Sequence, residues 1–329
     1  MKINTNGFFL ISLDYELMWG VRDKKSIKNY GVNILNVFKS SNYTLELFNR
    51  YNINATFATV GFLFHPNKKD LMDFLPYSKP SYTNKNLSPY ENDYIGKIGD
   101  NEQEDPYHFG YRLLKKIIDT NKHEIASHTY SHYYCLELGQ TLDQFRVDLQ
   151  KNIEIAKRNN IELNSIVFPR NQYDKKYLDI CRSQGIMVYR GNEKHFMYKP
   201  SESQNQTKLN RMLRLADSYL NLSGHNTYSI KDVINSKPYD LKSSRFLRPY
   251  KPMFSFFDFL KLKRIKDSMS YAARNNEIFH LWWHPHNFGS NIEENIKFLE
   301  QILLHYEMLN KKYKFKSVTM SKLAKIINS

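Results

Sequence analysis

Four short polar clusters each follow an apolar run, and together they carry the residue types of hydrolytic chemistry. The first is Ser12-Leu13-Asp14-Tyr15-Glu16, whose two carboxylates could hold a metal or act as a general base. The second, Ser127-His128-Thr129-Tyr130-Ser131-His132, places two histidines four apart. On a helix they would lie one above the other, and two imidazoles suit one divalent metal. No Glu follows the first His, so this is not the zincin pattern. The third is Phe168-Pro169-Arg170-Asn171-Gln172, where the Arg can hold a carboxylate by paired hydrogen bonds. The fourth is His280-Leu281-Trp282-Trp283-His284-Pro285-His286-Asn287. An apolar strand ending in His-Pro-His offers a general acid, because imidazole titrates near neutral pH. The set would complete a metal hydrolase: ligands, base, base-orienting Arg and acid. Each cluster has a plainer reading when taken alone: a surface acid pair, a chance His pair, an Arg after a proline turn. The Trp pair fits a core as well as a sugar platform, and His280 fits a satisfied core histidine.

The elements that must position these residues alternate. Phe8–Leu13 reads as a first strand, and 34–51 has helical apolar spacing before the strand-like Ala55–Val60. Further strands are expected at 123–127, 165–168, 186–189, 278–283 and 317–320. Helices are expected at 111–120, 142–159, 175–184 and 292–309 and at the C-terminus, with Gly185 closing the third of the central ones. Two polar stretches, 64–106 and about 192–260, read as insertions, with 192–209 irregular. Alternation of strand and helix argues for parallel βαβ units, in an α/β barrel or a doubly wound sheet. In both, chemistry sits where strands end. Residues 1–329 are expected to form a single domain.

Lys and Arg number 48 against 33 Asp and Glu, a net charge of +15, which favours anionic partners or a basic solvated surface. No zinc-finger, RNA-recognition or basic-helix signature supports nucleic-acid binding. Aromatic residues make up 15% of the chain, enough for both a core and a cleft that stacks on sugar rings. The two cysteines, Cys135 and Cys181, form no disulfide framework and fit a reducing compartment. No apolar run approaches a membrane span, and the N-terminal run is too short for a signal peptide. The chain is expected in the cytoplasm or at the inner face of the membrane.

In order and residue type these clusters resemble the motifs of the polysaccharide deacetylases, carbohydrate esterase family four. The family's Thr-Phe-Asp-Asp-Gly is similar to Ser12–Glu16, and its His-Ser/Thr-x-x-His is matched in full by His128–His132. Its Arg-Pro segment resembles Pro169-Arg170 in altered order, and its Leu-x-His strand end resembles Leu281–His284. Its Ala-Thr-Phe-Phe strand resembles Ala55–Val60. The likeness runs from about residue 8 to 290 and is greatest to members encoded with surface-polysaccharide or O-antigen synthesis.

The resemblance implies a distorted parallel (β/α) barrel with loop insertions and a divalent metal, expected to be Zn²⁺. It implies removal of an N-acetyl or N-formyl group from a sugar, the carbohydrate being anionic or lipid-linked. Tyr15 stands where the family has a second Asp ligand, so Glu16 is expected to join His128 and His132 on the metal. Asp14 is then the base, Arg170 its orienting partner and His284 the acid, with His286 in reserve. Tyr15, Arg190 and Trp283 are expected on the substrate. Asp14 on the metal, hydrolysis of a small cyclic amide or ureide, or a catalytically inactive carbohydrate-binding relative that has lost the metal are the alternatives.

Overall fold

The computed structural model describes residues 6–199 and 208–329. Among the described residues, nine strands form one wholly parallel sheet: β1 (Phe8–Tyr15), β2 (Ala55–Thr59), β3 (Glu124–Ser127), β4 (Ser165–Ile166), β5 (Val188–Tyr189), β6 (Tyr239–Asp240), β7 (Arg245–Phe246), β8 (Ile278–Trp283) and β9 (Lys316–Ser317). Their order is β6-β5-β4-β3-β2-β1-β8-β7, with β9 beside the start of β1. The helices, in chain order, are α1 (Ile27–Leu35), α2 (Val37–Arg50), α3 (Lys68–Asp73), α4 (Tyr111–Asp119), α5 (Leu142–Arg158), α6 (Lys175–Ser183), α7 (Lys208–Asp217), α8 (Asp258–Asn275), α9 (Ile292–Tyr313) and α10 (Met320–Asn328).

The two edge strands force the sheet to curl. Asp240 ends β6 and Arg245 begins β7, so five residue steps join opposite edges of the sheet. Five steps reach about 18 Å, whereas eight flat strands would be about 34 Å wide. The connecting segment crosses the gap. Ser243 N–H donates to the Gly191 carbonyl at 2.8 Å, and Ser244 N–H donates to the His280 carbonyl at 2.8 Å. The result is the distorted parallel (β/α) barrel anticipated from the sequence.

Both faces of β1 are buried, as a parallel strand under helices requires. Phe9, Ile11, Leu13 and Tyr15 belong to the large outer layer shared with the helices. Phe8 and Leu10 belong to a smaller inner cluster with Ala58, Ala126, Val167, Val188 and Ile278. Met320, Leu323 and Ala324 of α10 join that inner cluster and close the amino-terminal end of the barrel. Farther along the same face, Ser12 and Asp14 replace the apolar residues, so the carboxyl end of the barrel is polar inside.

Two sequence expectations need correction. The helix expected over 34–51 is two helices, α1 and α2, meeting at Asn36. The stretch 192–260 is no simple insertion, because it carries β6 and β7, the two edges of the barrel. Two-residue strands show no alternation that sequence could reveal. The expected irregular stretch 192–209 lies outside the described residues at 200–207, and α7 begins at Lys208. The 64–106 segment carries α3, and Ile95 and Ile98 anchor it in the outer core.

Candidate metal centre and active site

Side chains alternate along a strand, so Ser12, Asp14 and Glu16 share the interior side at the end of β1. Tyr15 faces the other way. It is buried, and its hydroxyl donates to the Gly110 carbonyl at 2.8 Å. Expected on the substrate, Tyr15 is instead a strut between β1 and the start of α4. Beyond Glu16 the chain enters a tight turn over Leu17–Gly20, with Leu17 in the left-handed region. The turn folds Gly20 under the Glu16 carboxylate, where a Cβ would lie 2.0 Å from the carboxyl carbon. Only glycine leaves that space.

Four imidazoles surround this carboxylate. Glu16 Oε2 lies 3.3 Å from His128 Nε2 and 3.0 Å from His132 Nε2. Glu16 Oε1 lies 2.9 Å from His286 Nε2 and 3.8 Å from His284 Nε2. The His128–His132 segment is not helical, contrary to the stacked-pair expectation. Thr129 and His132 both adopt positive φ, and the resulting loop turns both rings inward. Buried Asp148 on α5 holds the loop by accepting from the Tyr130 N–H at 2.7 Å, the Ser131 N–H at 3.1 Å and the Ser131 hydroxyl. Gly61 allows the loop its close approach, since a Cβ there would lie 2.7 Å from the Tyr130 Cα.

The hydrogen bonds fix the imidazole tautomers. His128 Nδ1–H donates to the Val167 carbonyl at 2.8 Å, which leaves its Nε2 lone pair facing Glu16. The Asn287 amide serves the other two rings. Its oxygen accepts from His284 Nδ1 at 3.3 Å, and its nitrogen donates to His286 Nδ1 at 3.4 Å. The Tyr30 hydroxyl also donates to His286 Nδ1, at 2.8 Å. His286 Nε2 therefore carries the proton that it donates to Glu16. Its place as reserve acid is corrected to that of a buried partner of Glu16.

Arg190, not Arg170, grips Asp14. Arg190 Nη1 and Nη2 donate to the two Asp14 oxygens at 2.6 and 2.8 Å, and Nη1 also donates to Ser12 Oγ at 3.0 Å. Its guanidinium stacks 4.1 Å over the Trp282 ring, and Asn171 accepts from Nη2 at 3.0 Å. The expected substrate contact by Arg190 is thus corrected to a carboxylate clamp. Arg170 is directed to Asp23 and to Glu137, the latter at 3.4 Å, with its guanidinium 4.0 Å over Tyr134. Trp283 points outward into the core, stacked on Phe288, while Trp282 shares the interior side with His280 and His284. His280 is satisfied by Ser12 Oγ at 2.9 Å.

Charge states follow from these contacts. Burial alone would raise the Asp14 pKa, but Arg190 and the neighbouring histidines outweigh it and the net shift is downward. Glu16 is likewise penalised by burial, yet His284 and the other three imidazoles hold it well below the carboxylate range. Burial depresses His132 to about 4 despite Glu16, and it lowers His284 as well. Two carboxylates held below their ordinary range thus face His132 and His284, which burial pushes toward the neutral form.

The donor set fits a divalent cation. Glu16, His128 and His132 offer one carboxylate oxygen and two imidazole nitrogens within 4.8 Å of one another. His128 Nε2 and Glu16 Oε2 are both acceptors, so a cation between them removes a repulsion. The bond from His128 Nδ1 to a backbone carbonyl is the outer support that metal-bound histidines carry. The sites open into a cleft of about 530 Å³, walled by Trp282, Phe246 and Tyr198 and lined by Lys24, Lys199, Arg211, Arg214 and Arg248.

Fold and site together define a distorted parallel (β/α) barrel with a carboxylate–imidazole cluster at the carboxyl ends of its strands. Residues 38–189 match the family model described as Polysaccharide deacetylase. That match lies between the strands that supply Asp14, Glu16, His284 and His286. The fold is similar to a crystal structure described as a polysaccharide deacetylase from Mycobacterium smegmatis, with 11% identity, 99% of this chain and 91% of that chain covered, and a TM-score of 0.62. One so described from Pseudomonas aeruginosa PAO1 has 10% identity, 97% and 89% coverage and a TM-score of 0.56. The PuuE allantoinase has 9% identity, 97% and 89% coverage and a TM-score of 0.53. At these identities the likeness is one of fold. No curated protein matches the sequence.

Proposed function

We propose that the protein is a metal-dependent hydrolase that removes an N-acetyl or N-formyl group from a sugar of a surface polysaccharide or its precursor. One observation carries this reading: the Glu16–His128–His132 donor set lies beside a carboxylate, Asp14, clamped by Arg190. A divalent cation held by Glu16, His128 and His132, with Zn²⁺ suited to that donor set, would polarise the acyl carbonyl and acidify a water molecule. Asp14, ionised and fixed by Arg190, accepts the proton of the attacking water. His284 Nε2 lies 3.7 Å from Asp14 Oδ2, close enough to collect that proton and pass it to the leaving nitrogen. The products are acetate or formate and a sugar amine.

The cationic cleft fits an anionic or lipid-linked glycan. Two buried thiols, Cys135 and Cys181, fit action in the cytoplasm, at the inner face of the membrane. Among the described residues no helix is long and apolar enough to cross a membrane. The test is release of acetate or formate from N-acylated amino sugars by zinc-loaded protein, with a cyclic ureide in the same panel. Asp14→Asn and chelated protein should both lose turnover. Undiminished release from either, or hydrolysis of the ureide alone, rejects the assignment.

A further inference from the structure

We infer that the surface segment Lys251–Leu260 docks the protein on an anionic lipid bilayer, beside the mouth of the cleft. The segment reads Lys-Pro-Met-Phe-Ser-Phe-Phe-Asp-Phe-Leu, and none of its residues is buried. Met253 is 84% exposed, Phe256 80% and Phe259 61%, although side chains of this size normally leave water. The first part, Pro252–Phe257, is a 3₁₀ helix, in which residues three apart line up. Met253 and Phe256 therefore form a row, which Phe259 extends at the start of α8. Phe257 lies 6.3 Å from the Tyr219 ring, and Leu220 and Leu222, just after Tyr219 in the chain, are also exposed. A contiguous apolar patch of this kind marks an interaction surface.

Charge identifies the partner. Lys251 opens the segment and is exposed. Arg248, three residues earlier, reaches back into the cleft, where it joins Arg211 and Lys199. The only acid of the segment, Asp258, is paired with Lys261 Nζ at 2.8 Å. An apolar row flanked by the exposed Lys251 and lying beside a cleft lined by Lys199, Arg211, Arg214 and Arg248 is complementary to a bilayer with anionic headgroups, into which such elements sink about 5–10 Å. Pairing with a second copy through the same patch would bring together two chains each at +15 with their Lys251 side chains facing. The docking claim stands on the patch. Its meaning for catalysis, that the sugar reaches the cleft from the membrane side, rests on the proposed deacylation.

The test is co-sedimentation of the full chain with vesicles of phosphatidylcholine alone or mixed with phosphatidylglycerol. Wild-type protein should bind the mixed vesicles and bind phosphatidylcholine weakly. The Phe256→Ser/Phe259→Ser variant should lose at least about tenfold in affinity with unchanged circular dichroism, as removal of two inserted rings requires. Lys251→Glu should weaken binding to the mixed vesicles only. Equal binding by wild type and the serine variant overturns the inference. So does failure of wild type to bind, or a dimer in solution that the serine variant dissociates. Vesicle binding by Asp14→Asn should equal that of wild type, so a failed deacylation reading and a failed docking reading give different results.

Discussion

Arg190 holds both carboxylate oxygens of Asp14, at 2.6 and 2.8 Å, across 176 residues of sequence. The fork geometry fixes the Asp14 carboxylate in one plane, which a point-charge ammonium cannot do. Arg190→Lys should therefore fold but lose on the order of 10² in kcat, the scale of a misplaced catalytic group. Arg170→Lys should lose less, because Arg170 serves Asp23 and Glu137. Steady-state acetate release by the two variants decides; a larger loss from Arg170→Lys contradicts the clamp assignment.

Metal binding should stabilise the fold. A cation at 100 times its Kd contributes about 2.7 kcal/mol, which appears as a rise in Tm. His128→Ala removes one nitrogen of the candidate donor set and the bond to the Val167 carbonyl. It should abolish the zinc-dependent rise, while His284→Ala should keep it and lose turnover. A thermal melt with and without zinc separates the two.

Gly20→Ala tests the space under Glu16. The new methyl would lie 2.0 Å from the Glu16 carboxyl carbon, so the carboxylate must swing away from the histidines. Metal affinity should fall by about 10- to 100-fold, the scale of disturbed metal support. Isothermal titration with zinc measures it, and unchanged affinity would show that Glu16 is not a ligand.

Tyr15→Phe separates strut from substrate contact. It removes the hydrogen bond to Gly110 and leaves a buried carbonyl without that donor. The Gly110 carbonyl keeps the Leu114 N–H at 3.2 Å, so stability should drop by about 0.5–1.5 kcal/mol, with KM and kcat unchanged. A raised KM at full stability would restore Tyr15 to the substrate.

Asp217 should govern part of the acid limit of stability. Burial pushes its pKa up, but Arg245 and bonds from Arg245 and Ser223 hold it far below the usual carboxylate range. The folded pKa is thus below the unfolded one. Its stabilisation is complete above about pH 4 and is lost as pH falls through the folded pKa. Asp217→Asn should cost about 3–5 kcal/mol near neutrality, by leaving the buried Arg245 and Arg264 without a counter-charge. It should also flatten the fall of the urea midpoint below pH 4. An unchanged slope there would remove Asp217 from the acid response.

Much of the barrel was legible because long elements repeat their pattern. The eight residues of β1 and the helices α5 and α9 announce themselves by periodicity. Parity along β1 also carried information that residue type obscured: Asp14 and Glu16 share one side, and Tyr15 must face the other. The same alternation on β8 puts Trp282 inside with His284 and sends Trp283 to the core. Strands β6 and β7, of two residues each, left no such trace.

Sequence alone determined which chemical groups were at hand: two acids, two His pairs and arginines after strands, in an order that resembles one family. It could not choose between Arg170 and Arg190, because each follows a strand and each is a guanidinium. Curling of the sheet made that choice. It brings β5 across the barrel from β1, so that Arg190 faces Asp14, while the turn at Pro169 sends Arg170 toward Asp23. Pairings between residues distant in the chain depend on where strands lie in the closed sheet, and local patterns carry no information about that distance.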